Sequence, residues 1–191
     1  MNFRSLTCIM DMTADRRKID MTDEHPPLKR HESLQPFSRD HFVALRVARD
    51  LNAAASGDGD GAPHARDAFL TAWQGEISSH FSEEEQLLIP LMQSDEIARM
   101  MQEHHQLRRL ASEEMPAGND KDLKDWCAKV GQALHDHVRW EERVLFMAIQ
   151  DRATPEQLQA VGLATAEIEA RRPGCRRRGP GPRGQDRHLP E

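Results

Sequence analysis

The 191-residue length suits one domain with tails and leaves little room for a second folded unit. Charged residues make up 30%, aromatics only 5% and Tyr is absent, a composition that favours amphipathic helices over an aromatic-rich sandwich or barrel. The formal net charge is -6, but residues 171–191 hold seven Arg against Asp186 and Glu191, so that end contributes +5 and the remainder -11, which argues against a nucleic-acid-binding body.

Residues 1–34 carry charge, Met and the pair Pro26 and Pro27 without a sustained apolar period, and read as a mobile leader. They hold no apolar stretch long enough for a signal sequence, and no run anywhere approaches the ~18 apolar residues of a membrane span. Cys8, Cys127 and Cys175 show no C-x-x-C spacing. A soluble, cytoplasmic chain without a disulfide framework is the expectation.

From Gln35, the entry residues Pro36 and Ser38, the apolar positions Val43, Leu45, Val47, Ala48 and Leu51, and the exit at Gly57 to Gly61 predict a first helix near 37–55. Phe69, Trp73, Ile77, His80, Glu84 and Leu88 then recur at steps of three or four, one stripe of a second helix that Pro90 ends or kinks. Ser94 is the expected N-cap of a third helix, with Asp95 and Glu96 in its first turn and Ile97, Met100, His104, Leu107 and Ala111 on its inner face. A fourth, over about 121–149, turns Trp126, Val130, Leu134, His137, Glu141 and Leu145 to one side. Thr154, Pro155 and Gln157 mark the start of a short fifth helix reaching about Ala170. The remainder, with its four Pro, four Gly and seven Arg, reads as disordered. The expected organisation is an all-α chain: leader 1–34, up-and-down four-helix bundle 35–150, short extra helix 151–170 and basic tail 171–191.

In His80-Phe81-Ser82-Glu83-Glu84 and in His137-Val138-Arg139-Trp140-Glu141, a histidine precedes a glutamate by four positions. Both side chains then project from one helix face, so each helix offers a nitrogen and a carboxylate to the same ion. These pairs lie on apolar stripes, where an ionised glutamate is costly to bury unless it coordinates a cation. His41 faces inward from the first helix and, on the third, the Met100, His104, Leu107 stripe favours His104 over its neighbour His105, so every long helix presents a ligand-type residue. At ~1.5 Å per residue the four levels agree within about a turn.

The segments SRDHFVAL, HFSEEEQLLIP, EHHQLRRL and HVRWEERVLF together resemble the hemerythrin-like, or HHE cation-binding, proteins over roughly residues 31–150. That resemblance implies a left-handed four-helix bundle in which Glu84 and Glu141 bridge two irons, with His41, His80, His104 and His137 as terminal ligands. The oxygen-carrying hemerythrins have a H-x-x-x-H pair on the third helix. Here the position four after His104 is Arg108, leaving His105 or His31 as substitutes for a fifth histidine. Imidazole with bridging carboxylate suits iron, and also manganese or zinc. Ferritin-like di-iron sites use Glu-x-x-His with carboxylates in excess, the reverse of the order and ratio here.

Glu83, Glu85 and Glu142 read as a solvated face, with Glu142 also a candidate partner behind the ligands. Trp73, Phe81, Trp126 and Trp140 read as ordinary core or boundary residues rather than redox relays. The expected function is a non-haem di-iron protein, not an enzyme, that binds dioxygen or another small diatomic, or senses iron or redox state. The alternative is a di-iron enzyme acting on peroxide, nitric oxide or Fe²⁺. No nucleic acid and no membrane is the expected partner.

Overall fold

The computed structural model describes residues 29–57, 59–114 and 120–172, in which helices joined by short connections are the regular structure, with no strand among them. The expected leader up to residue 28 and the basic tail from 173 lie outside the described residues. A 3-10 turn, Glu32–Leu34, leads into α1, Gln35–Ser56, with Pro36 in the first turn, where a missing N–H costs nothing. Helix α2, Gly61–Ala72, continues through a π turn, Trp73–Ile77, into α3, Ser78–Leu88. Pro90 sits in the 3-10 turn Ile89–Leu91 that closes this run. Helix α4 spans Ser94–Ala111 and α5 spans Asp120–Trp140; a second π turn, Glu141–Leu145, joins α5 to α6, Phe146–Arg152. Helix α7, Pro155–Arg171, starts at the capping box of Thr154 and Gln157.

The N-cap of α4 is Gln93 rather than Ser94: its backbone N–H donates to Glu96 Oε2 at 2.7 Å, so the acidic residue satisfies an amide that the helix leaves without a partner. The π turns also depart from the expected uninterrupted helices. Stripes spaced mostly by four residues outrun the 3.6-residue repeat and would rotate off the core on a straight α-helix. A wider turn keeps Phe69, Ile77 and Leu88, and likewise Val130, Glu141 and Leu145, buried on one side.

Apolar side chains form two separate cores. One gathers Val47 and Leu51 of α1, Phe69 of α2, Leu107 of α4 and Val130 and Leu134 of α5. The other gathers Leu34, Phe37, Leu88, Met100, Leu145, Phe146 and Ile149, with Leu158 and Val161 of α7 laid against it. Along α1 the chain passes from the second core to the first, along α2 and α3 it returns, and α4 and α5–α6 repeat the alternation. Between the cores every one of these runs contributes a buried histidine, glutamate or both. No helix among the described residues is long and apolar enough to cross a membrane.

Candidate metal centre

The polar layer consists of His41 on α1, His80 and Glu84 on α3, His104 on α4, His137 on α5 and Glu141 at the start of the second π turn. All six are buried, and both glutamates have no exposed surface. The spacing of four puts each His–Glu pair on one face of its helix, as the sequence suggests. These six are also the residues singled out from the sequence, and the structure brings all of them together.

They form two overlapping sets of donors, His41–His80–Glu84–Glu141 and Glu84–His104–His137–Glu141; within each set the ligand atoms lie within 4.8 Å of one another. Glu84 faces both sets. Its Oε1 lies 3.1 Å from His80 Nε2 and 3.5 Å from His41 Nε2, and its Oε2 lies 3.5 Å from His104 Nε2. Glu141 Oε2 lies 3.1 Å from His41 Nε2 and 3.4 Å from His137 Nε2. Despite these distances, His41 Nε2, His80 Nε2 and all four carboxylate oxygens lack an aligned hydrogen bond. Buried polar atoms without partners are costly, and a cation between them removes the cost.

The other ring nitrogens face outward. His41 Nδ1 donates to Glu142 Oε1 at 2.7 Å, His104 Nδ1 to Glu85 Oε1 at 2.7 Å and His137 Nδ1 to Glu103 Oε2 at 2.9 Å. Asp40 Oδ2 stands 3.6 Å from His80 Nδ1, a charge contact rather than a hydrogen bond. Carboxylates accept, so Nδ1 of the first three rings carries a proton and Nε2 faces inward, where it offers a lone pair to a metal ion once it is unprotonated. His104 Nε2 and His137 Nε2 are 3.1 Å apart. Two such lone pairs repel unless a proton or a metal ion sits with them.

Electrostatics follow the same pattern. Burial disfavours a charged ring, but Glu141, Glu142 and Glu84 outweigh it and hold the His41 pKa well above its ordinary value. Against the same burial, Glu84 and Asp40 raise His80 to about 9. Burial pushes the Glu84 carboxyl up, yet His80, His104 and His41 bring it well below the usual carboxylate range. Asp40 and Glu142 are both brought to about 2, against burial, by His80 with Arg172 in one case and by His41, Ser38 and Arg30 in the other.

Glu85 therefore belongs behind His104 rather than on a purely solvated face, and it also accepts from Arg108 Nη1 at 2.7 Å. Asp40 and Glu103 fill the same position behind His80 and His137, and the sequence gives no sign of either. His105 is exposed, and His31 Nδ1 accepts from Ser33 N at the 3-10 turn, so neither approaches the layer. Phe81 does more than fill the core: its ring stacks on His104 at 3.8 Å between centroids and meets His137 edge-on at 5.1 Å. Phe146 stacks on His41 at 5.6 Å. Cys127 is buried with its thiol directed at Ala62 O, away from the layer. A groove of about 560 Å³ between α4 and α5, lined in part by Glu103, Leu107, Gln132 and Asp136, reaches His137.

Comparison with curated proteins finds no match, and neither does comparison with solved structures. A family model, Hemerythrin HHE cation binding domain, matches residues 34–149, which include all six residues of the layer. The match covers more than half of the chain, and the protein belongs to the hemerythrin HHE cation-binding domain family.

Proposed function

We propose that this chain is a non-haem di-iron protein in which His41 and His80 hold one ion, His104 and His137 the other, and Glu84 and Glu141 bridge them. The observation that carries this reading is the pair of four-donor sets sharing both glutamates. The alternation of each helix run between the two cores supports an up-and-down four-helix bundle around them. Imidazole and carboxylate donors without a thiolate suit iron, with manganese or zinc as the competing occupants. Iron bound there would supply a redox-active cation able to take a small ligand.

Dioxygen or another diatomic is the proposed ligand, or the site senses iron or redox state through its occupancy. Phe81, Phe146 and the two apolar cores exclude bulk water from the layer. The groove that reaches His137 is the side from which a diatomic would approach. Arg108 pairs with Glu85 and supplies no imidazole, so the His104–His137 half has two histidines rather than three. Fewer ligands favour an open, reactive ion over a lasting oxygen carrier, and this keeps turnover of peroxide, nitric oxide or Fe²⁺ as the second reading. Anaerobic loading with Fe²⁺ followed by optical spectra on exposure to oxygen separates them. Spectra that revert when oxygen is removed support the binding protein, catalytic consumption of peroxide or nitric oxide supports the enzyme, and a chain that takes up no iron defeats both.

A further inference from the structure

Behind each of the four histidines stands a carboxylate, and each carboxylate is gripped by an arginine. The arginines come from two different parts of the chain. Arg108 Nη1 reaches Glu85 at 2.7 Å and Arg99 Nε reaches Glu103 at 2.8 Å; both lie on α4, inside the matched domain. Arg30 Nη2 donates to the side chain and to the carbonyl of Glu142, at 2.5 Å in each case. Arg172 donates to both oxygens of Asp40, at 3.0 and 2.8 Å, and to Glu83 at 2.7 Å. Residues 30 and 172 both lie outside the match at 34–149.

We infer that Arg30 and Arg172 are positioning residues for the His41–His80 half of the centre, so that this half is completed by chain flanking the family domain. Arg30 reaches His41 by two routes. Its guanidinium fixes Glu142, which orients the ring through Nδ1, and it lies 4.9 Å from the Phe146 ring that stacks on His41. Only 7% of its side chain is exposed, so it is held in place rather than swinging in solvent. Arg172 grips Asp40 with two parallel bonds, which fixes the carboxylate facing His80 more firmly than a single contact does. It stands at the end of α7, a helix held against the 3-10 turn and the second core, so docking of α7 and orientation of His80 are linked. The His104–His137 half draws its arginines from α4 and is independent of both flanks.

The inference rests on the two-ion reading, and Co²⁺ titration of the full chain tests the two separately. In a His104→Ala background the remaining ion sits in the His41–His80 half, and adding Arg30→Ala and Arg172→Ala is expected to weaken it by about 10–100-fold, the usual effect of removing support behind a ligand. Its visible absorption bands should shift with the changed ring orientation. In a His41→Ala background the same two substitutions should leave affinity and spectrum unchanged. Arg39→Ala, which removes a solvent-exposed α1–α7 ion pair to Glu169, should change neither. If loss of the buried Arg30 prevents folding, Arg172→Ala alone carries the comparison. Equal losses in both backgrounds, no loss in the first, or the same loss from Arg39→Ala overturns the inference while leaving the centre intact. A wild-type chain that binds no Co²⁺ overturns the centre and the inference together.

Discussion

At the residue scale, the two carboxylates and the four histidines differ in what their removal does. Glu84 directs one oxygen at each set of donors and Glu141 is shared by both, whereas each histidine belongs to one. Glu84→Ala or Glu141→Ala is expected to abolish binding of both ions, and His80→Ala or His137→Ala of one, with losses exceeding the 10–100-fold typical of outer partners. Metal analysis finding one ion retained in Glu84→Ala contradicts the bridge. The metal-free protein should carry a pH signature. His80 at about 9 and His41, also raised, have folded-state values above the unfolded value of ~6.5. Their contribution to stability is therefore complete below ~6.5 and is lost as pH rises towards 9. Chemical unfolding of the metal-free chain at both ends of that window checks the sign, and a stability that is flat or rises towards pH 9 rejects it. The six inner residues were legible because ligand chemistry on an apolar stripe contradicts the stripe. Asp40, Glu85 and Glu103 were not, because a carboxylate flanking a stripe looks like any solvated residue until a histidine from another helix is set against it.

Helices impose the next level of constraint, since ligands meet only if the backbones approach closely. Among the described glycines the tightest is Gly131 on α5: a Cβ there would stand 2.5 Å from Asn52 Oδ1 and 3.0 Å from the carbonyl oxygen of Ala48 on α1. Asn52 can swing aside, but the α1 backbone cannot. Gly131→Ala gains about 1 kcal/mol in helix propensity and loses about 1–3 kcal/mol by overpacking, so the expected net effect is destabilising by roughly 1 kcal/mol. A midpoint of urea unfolding equal to or above that of wild type would show that α1 yields at this contact. Helix order, inward faces and the cap at Thr154 were readable from period and capping residues. The π turns were not, although the cue was present: successive four-residue steps through Phe69, Trp73 and Ile77 and through His137, Glu141 and Leu145 drift by about 40° each around a straight α-helix. The histidine–glutamate motif tolerates this because its spacing of four falls within a single turn, whichever side of it the widening lies.

For the whole molecule, the question is whether the metal makes the fold or only tightens it. The two apolar cores are complete on either side of the layer, with Phe69, Leu51, Val130 and Leu134 in one and Phe37, Leu88, Leu145 and Phe146 in the other. Neither needs a cation to pack. The layer itself is six buried polar residues, and the inward atoms of four of them, His41, His80, Glu84 and Glu141, lack aligned partners, which makes it the weak plane of the molecule without metal. A cation that binds only the folded chain stabilises it by about 2.7 kcal/mol when free metal exceeds the dissociation constant about 100-fold. In a chain of this size that corresponds to a rise in Tm on the order of 5–10 °C per ion. Chelation is therefore expected to lower Tm by that amount while leaving helical circular dichroism intact at 25 °C. Replacing His41, His80, Glu84, His104, His137 and Glu141 together by apolar residues of similar volume should then raise Tm above that of the chelated wild type, because a packed apolar layer replaces one with unmet polar groups. A chelated chain that unfolds outright at 25 °C means that the cores depend on the metal. A six-fold apolar variant less stable than the chelated wild type means that the His–Glu pairing across the layer, with its raised imidazole and lowered Glu84 carboxyl, already compensates for its own burial.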